Sequence, residues 1–209
     1  LNNLALLLQA TNRLVESEPL LRRALAIDEA SFGKDHPEVG NRLNNLAALL
    51  NATNRLVEAE LLMRRALAIG EASLGKDHPT VAAQLNNLAV MLQDTNRLAE
   101  AEPLLRRALA IDEASFGMDH PSVANRLNNL AVLLRATNRL AEAEPLMRRG
   151  LEILLNSNVF NGHRHPILDT VLDNYRSLLS ALGDTEDQAR DKINALAAKY
   201  GVSITAITK

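Results

Sequence analysis

The pentapeptide Leu-Asn-Asn-Leu-Ala starts at Leu1, Leu43, Leu85 and Leu127, each time 42 residues after the last. A chain that repeats itself at such an interval folds as a row of like units, each burying its apolar face against its neighbours. The copies are close. The stretch from Leu1 to Arg42 differs from that between Leu85 and Arg126 at a handful of positions, among them Val15/Ala99, Ser17/Ala101 and Lys34/Met118, and internal duplication accounts for this. A fifth, divergent copy opens with His165-Pro166 and continues through Leu172, Asn174, Tyr175, Leu178 and Leu179, after an inserted stretch around residues 156–164. The expected organisation is one array over residues 1–209, with units of about 1–36, 37–78, 79–120 and 121–162 and a closing unit over 165–209.

Each unit reads as two helices. In His36-Pro37, proline at the first helical position gives up an N–H that would be unpaired anyway, and Asp35 or His36 supplies a cap. Val39, Leu43, Leu46, Ala47 and Leu50 recur at helical spacing, which predicts a helix from about Pro37 to Ala52. Asn54, in the loop that follows, tolerates the left-handed backbone such a turn needs. A second helix from about Leu56 carries Ala59, Met63, Ala66 and Leu67 on its apolar face, and Gly75, like Gly33 and Gly117, marks its end. Glu18/Arg22, Glu60/Arg64, Glu102/Arg106 and Glu144/Arg148 are spaced four apart, each pair worth about 0.2–0.5 kcal/mol on a helix surface. Pro19, Pro103 and Pro145 fall early in three second helices and are expected to bend or delay them, whereas Leu61 stands at that place in the other.

Composition narrows the class. Apolar residues make up 47% of the chain and aromatic ones 2%, so the core must be built from Leu, Ala, Val and Ile, as in closely packed helices. With 23 basic against 25 acidic residues, nothing favours nucleic acid or an acidic membrane as partner. No cysteine is present, which excludes disulfides and zinc–thiolate sites. No apolar run approaches the roughly 18 residues of a membrane span, and the chain is expected to be soluble and cytoplasmic. It starts within a repeated segment and without Met, which predicts a piece of a larger protein.

The small residues that let two helices approach closely fall on Ala47, Ala59 and Ala66, and recur as Ala5, Ser17, Ala24; Ala89, Ala101, Ala108; and Ala131, Ala143, Gly150. With L-N-N-L-A, E-A-E-P-L-x-R-R-A-L-x-I and G-x-D-H-P at a 42-residue period, the chain resembles tetratricopeptide repeats of the kinesin light chain type and their bacterial relatives. HEAT and armadillo arrays have units of similar length but do not require the small-residue triplet. Asn12, Asn54, Asn96 and Asn138 stand where the family usually has Gly, and Arg176 occupies a small position in the fifth unit, which implies irregular packing there.

The resemblance implies an all-α, right-handed superhelical solenoid of antiparallel helix pairs that binds a protein or peptide on a concave side lined by the first helices. The residues expected there are Asn41, Asn44, Ala48 and Asn51; Ala83, Asn86, Val90 and Gln93; and Asn125, Asn128, Val132 and Arg135. An amide carries donors and an acceptor, so a stripe of them suits the N–H and C=O groups of an extended peptide whatever its sequence. The family also implies peptide contacts one position further on, at Asn3, Asn45, Asn87, Asn129 and Asn174. The same asparagines are equally suited to bonding the neighbouring repeat and holding the stack. Arg42 and Arg126, at the edge, are candidates for acidic ligand side chains.

Catalysis needs one singular constellation, and a tandem repeat offers the same residues many times; no phosphate loop or nucleophile elbow appears, and no enzyme activity or cofactor is expected. His163-x-His165 and the repeated His36, His78 and His120 lack a third ligand and are expected to serve helix starts rather than a metal. Asp28 and Glu29, which recur in nearly every copy, read as solvated helix faces. The alternatives to a peptide-binding scaffold are an array that stacks end to end on itself and a regulatory module of a larger protein.

Overall fold

The computed structural model describes residues 2–161 and 165–202. Regular structure among them is helical: α1 (Asn2–Ala10), α2 (Leu14–Phe32), α3 (Pro37–Ala52), α4 (Leu56–Leu74), α5 (Pro79–Asp94), α6 (Leu98–Phe116), α7 (Pro121–Ala136), α8 (Leu140–Asn161), α9 (Leu168–Ala181) and α10 (Glu186–Ala198). The chain forms two compact units, Leu1–Ile111 and Asp112–Lys209, and the division falls within α6. No helix among the described residues is long and apolar enough to cross a membrane.

In the first unit α3 and α4 show how the pattern becomes packing. Val39, Leu43, Leu46, Ala47 and Leu50 are fully buried, and Ala59 and Ala66 meet them from α4 with no exposed surface. Each such leucine contributes about 1.5–3 kcal/mol by leaving water. One core cluster joins Leu25 of α2, Val39 and Leu43 of α3, and Leu62, Ala66 and Ile69 of α4. A second joins Leu67 of α4, Val81, Ala82 and Leu85 of α5, and Leu104, Ala108 and Ile111 of α6. α3 and α5 are therefore each packed between the second helix before and the second helix after.

The turns follow from single residues. Asn12, Asn54, Asn96 and Asn138 all hold φ between 58° and 61°. After α3 the Asn54 N–H bonds to the Asn51 carbonyl at 3.0 Å and the Arg55 N–H to the Leu50 carbonyl at 2.8 Å, a Schellman pair that satisfies two orphan carbonyls. At the helix starts, Nδ1 of His36, His78 and His120 accepts the N–H of Glu38, Thr80 and Ser122 at 3.1–3.2 Å. The cap is thus the histidine and not Asp35. Phe32 and Phe116 stack on His36 and His120 at 4.8 and 4.6 Å between ring centres.

The prolines do not delay their helices. Pro19 and Pro103 sit inside α2 and α6, which start at Leu14 and Leu98 and span 19 residues, as α4 does with Leu61 in that place. The carbonyl left without its bond in α2, that of Val15, belongs to a residue 86% exposed.

The second unit closes differently. Leu127, Ala131 and Leu134 of α7 and Ala143, Met147 and Leu151 of α8 are fully buried as in the first unit. Gly150 completes the small triplet, where an added Cβ would lie 3.2 Å from the Ala124 carbonyl. In α9, however, Arg176 stands at the small position, half-buried and paired with Asp173 at 3.1 Å. After a turn with Gly183 at φ 101°, α10 starts from a capping box in which Thr185 and Gln188 bond each other's backbone N–H, and runs only 13 residues.

Candidate functional site

On α3, Asn41 and Ala48 are exposed and Asn44, Asn45 and Asn51 half-buried. Four amide atoms on α3 and α5 of the first unit are buried without a hydrogen-bond partner: Asn44 Oδ1, Asn51 Oδ1 and Gln93 Nε2, and, packed against Gly70 of α4, Gln84 Oε1. Asn51 spends its Nδ2 on Asp94 of α5, at 3.3 Å, while its oxygen stays unpaired. On α5, Asn86 is 7% exposed whereas Asn87 and Val90 reach solvent and Ala83 is half-buried. Ala89 beneath them is fully buried.

The second unit uses its amides on itself. Asn174 of α9 donates Nδ2–H to Asn128 Oδ1 at 3.0 Å, Asn128 donates to Asn129 Oδ1 at 3.3 Å, and Asn129 to Asn125 Oδ1 at 3.2 Å. Four residues expected on a ligand-facing stripe thus form one chain of bonds from α9 to α7, with Asn128 only 6% exposed. Val132 and Arg135 further along α7 are half-buried.

Two sequence expectations need correction. Arg42 and Arg126 are already engaged: Arg42 Nε lies 2.7 Å from Asp28 Oδ2, and Arg126 Nε 2.9 Å from Asp112 Oδ2. These aspartates are no solvated face. Asp112 is 1% exposed, and each pair ties a second helix to the first helix that follows it. Glu29 and its counterparts behave likewise: Arg65 reaches Glu29 at 2.8 Å and Arg149 reaches Glu113 at 2.6 Å. A regular charge period looks the same whether it faces water or a neighbouring helix, and that is why sequence reasoning missed these pairs.

A signal for the aspartate–arginine pair was nevertheless present. The middle copy has Gly70 in place of the aspartate and Gln84 in place of the arginine. The Gln84 side chain, 2% exposed, fills the space: a Cβ added to Gly70 would fall 2.2 Å from its Oε1, and one added to Gly40 3.4 Å from its Nε2. Both members of the pair change together.

Along the second helices, arginines join successive units. Arg55 contacts Glu18 at 2.6 Å and also Glu58, Arg22 reaches Glu58 at 2.7 Å, and Arg97 reaches Glu60 at 2.6 Å. The hydrogen bond from Arg97 holds Glu60 below the ordinary carboxylate value, against burial, which acts the other way. Glu58 is lowered in the same sense, chiefly by Arg22. His36, His78 and His120 are spent on caps. Among the described residues no three His, Cys, Asp or Glu side chains converge as metal ligands; His163 lies outside them.

The profile of the tetratricopeptide repeat family matches residues 1–72, 44–114 and 80–156. No curated protein matches the chain. Among solved structures, a Podosopora anserina putative kinesin light chain with nearly identical TPR-like repeats is 24% identical, with a TM-score of 0.75 over 97% of this chain and 95% of that one. BtubC (BKLC) from P. vanneervenii is 25% identical, with a TM-score of 0.76 over 96% of this chain and 79% of its own. PilF from Pseudomonas aeruginosa shares the fold more loosely, at 20% identity and a TM-score of 0.65 over 96% and 75%. The 42-residue helix pairs, their small-residue contacts and the matched profile agree: this chain belongs to the tetratricopeptide repeat family, and its fold is similar to that of kinesin light chain-like repeats.

Proposed function

We propose that this chain is a non-catalytic, cytoplasmic interaction scaffold that holds an extended peptide, or an extended segment of a partner protein, along the first helices of its pairs. Tetratricopeptide repeat proteins in general mediate protein–protein interactions, and the family assignment supports that much. The finer reading rests on one observation, the buried and unpaired amide atoms of Asn44, Asn51 and Gln93. A buried polar atom without a partner costs about 1–3 kcal/mol. The three side chains are themselves only half-buried, so rotating each amide outward would offer its unpaired atom to an extended backbone, whose N–H groups suit the two amide oxygens and whose carbonyls suit Gln93 Nε2. Asn41 and Asn87 would flank the same stretch. The bonded amides Asn125, Asn128, Asn129 and Asn174 would then serve chiefly to hold the closing unit together.

The test is affinity for a partner recovered with the chain and then purified. The triple variant Asn44→Ala, Asn51→Ala, Gln93→Ala should bind it about tenfold or more weakly, three modest hydrogen bonds being lost, with thermal unfolding nearly unchanged. Unchanged affinity together with a lowered unfolding temperature would reject the assignment.

A further inference from the structure

In the regular pairs the leucine at the Leu46 or Leu130 position is sealed, 0% and 1% exposed, because small residues draw the second helix onto it. Tyr175 takes that place in α9. Tyr175 is itself 4% exposed, but with Arg176 beside it and the short α10 as its cover, a cleft of about 380 Å³ is left among α8, α9 and α10. Its floor is the apolar surface that Tyr175, Leu179 and Leu196 leave uncovered, 2–5% of each residue, and Leu182, 44% exposed, extends it toward the edge.

The rim is cationic. Arg148, Lys192 and Lys199 line it with the carboxylate of Glu144, and Glu152, one turn beyond Arg148 on α8, lies near enough to act on Tyr175. Lys192 is neutralised by Asp184 at 2.6 Å. Glu144 accepts the Tyr175 hydroxyl at 2.9 Å and approaches Arg148 only to 3.9 Å. Lys199 has no ion pair among the described residues. Burial, aided by the bond to Glu144, raises the Tyr175 phenol well above its ordinary value, so the floor stays neutral. Apolar floor, cationic rim and a volume at the low end of the roughly 300–1,000 Å³ of small-molecule sites occur together here.

We propose that this cleft binds a small amphipathic carboxylate, with its apolar chain on Leu179 and Leu196 and its carboxylate at the rim with Arg148 and Lys199. The site uses none of the amides of the peptide face and stands or falls independently of that reading.

Titration calorimetry of the whole chain with octanoate should show saturable, one-to-one binding with a dissociation constant below about 1 mM, as a ligand of about ten heavy atoms allows. Octylammonium, one carbon longer in its apolar chain and opposite in charge, should not bind. Arg148→Ala and Lys199→Ala should each weaken octanoate about threefold or more, the scale of an exposed charge pair. Both residues are exposed, and circular dichroism should report an unchanged fold. Methyl resonances of Leu179 and Leu196 should shift on titration. The proposal is overturned if octanoate does not saturate, if octylammonium binds as well, if both alanine variants bind like the parent, or if the shifted methyls lie elsewhere.

Discussion

The exchange of Asp–Arg for Gly–Gln in the middle copy can be reversed, and the outcome follows from the contacts. Gly70→Asp alone puts a carboxylate where an added Cβ already falls 2.2 Å from Gln84 Oε1 and 3.1 Å from its Cδ, so the whole amide must move. The new charge then faces a neutral residue at a site where Gln84 is 2% exposed. An uncompensated buried charge costs about 3–5 kcal/mol, against a gain in helix propensity of under about 0.5 kcal/mol. Gln84→Arg alone introduces a cation with no carboxylate beside it, at a cost on the order of 2 kcal/mol. The double variant rebuilds the arrangement seen at Asp28–Arg42 and Asp112–Arg126 and should lie within about 1 kcal/mol of the parent. Urea unfolding followed by far-UV circular dichroism reads this directly: with a slope of about 2 kcal/mol/M, Gly70→Asp moves the midpoint by about 1.5 M or more and the second change restores most of it. If the two single effects add to within about 0.5 kcal/mol in the double variant, the pairing argument is refuted.

Two further outcomes are expected. Asn54, at φ 61°, should cost about 1 kcal/mol when changed to Ala and little when changed to Gly, measured by the same denaturation, because a Cβ without a compensating amide disfavours the left-handed region. Glu60 and Glu58 have folded values below their unfolded ones, so their contribution is fully present above the ordinary carboxylate range near 4.3 and is lost as pH falls through the depressed values. The unfolding temperature should therefore hold from neutrality down to that range and fall below it, more gently in Glu60→Gln than in the parent.

The helix ends were legible because one residue decides each: Pro37 opens α3 at the predicted place and Asn54 closes it, while the small triplet Ala47, Ala59, Ala66 located the contact between α3 and α4. Family membership was readable for the same reason. The delay expected at Pro19 did not occur, because a proline at the sixth helical position removes one bond without moving the start. The amide stripe was harder. Adjacent residues such as Asn86 and Asn87 differ by about 100° around a helix, and only the angle at which the next pair packs decides that one is buried and the other exposed. The bond from Asn174 to Asn128 spans 46 residues and depends on that angle too.

The Asp28–Arg42 pair has a consequence for how such a chain can be lengthened or shortened. Its partners lie 14 residues apart, on either side of the junction between α2 and α3. Unequal crossing-over between copies leaves every pair matched when the exchange falls outside that interval. Within it, an exchange with the middle copy joins an aspartate to a glutamine, or a glycine to an arginine, and the hybrid carries a mismatched joint. The array should accept whole-unit gains and losses along about two-thirds of its repeat, the remaining 14 of 42 residues being where recombination leaves a destabilised product.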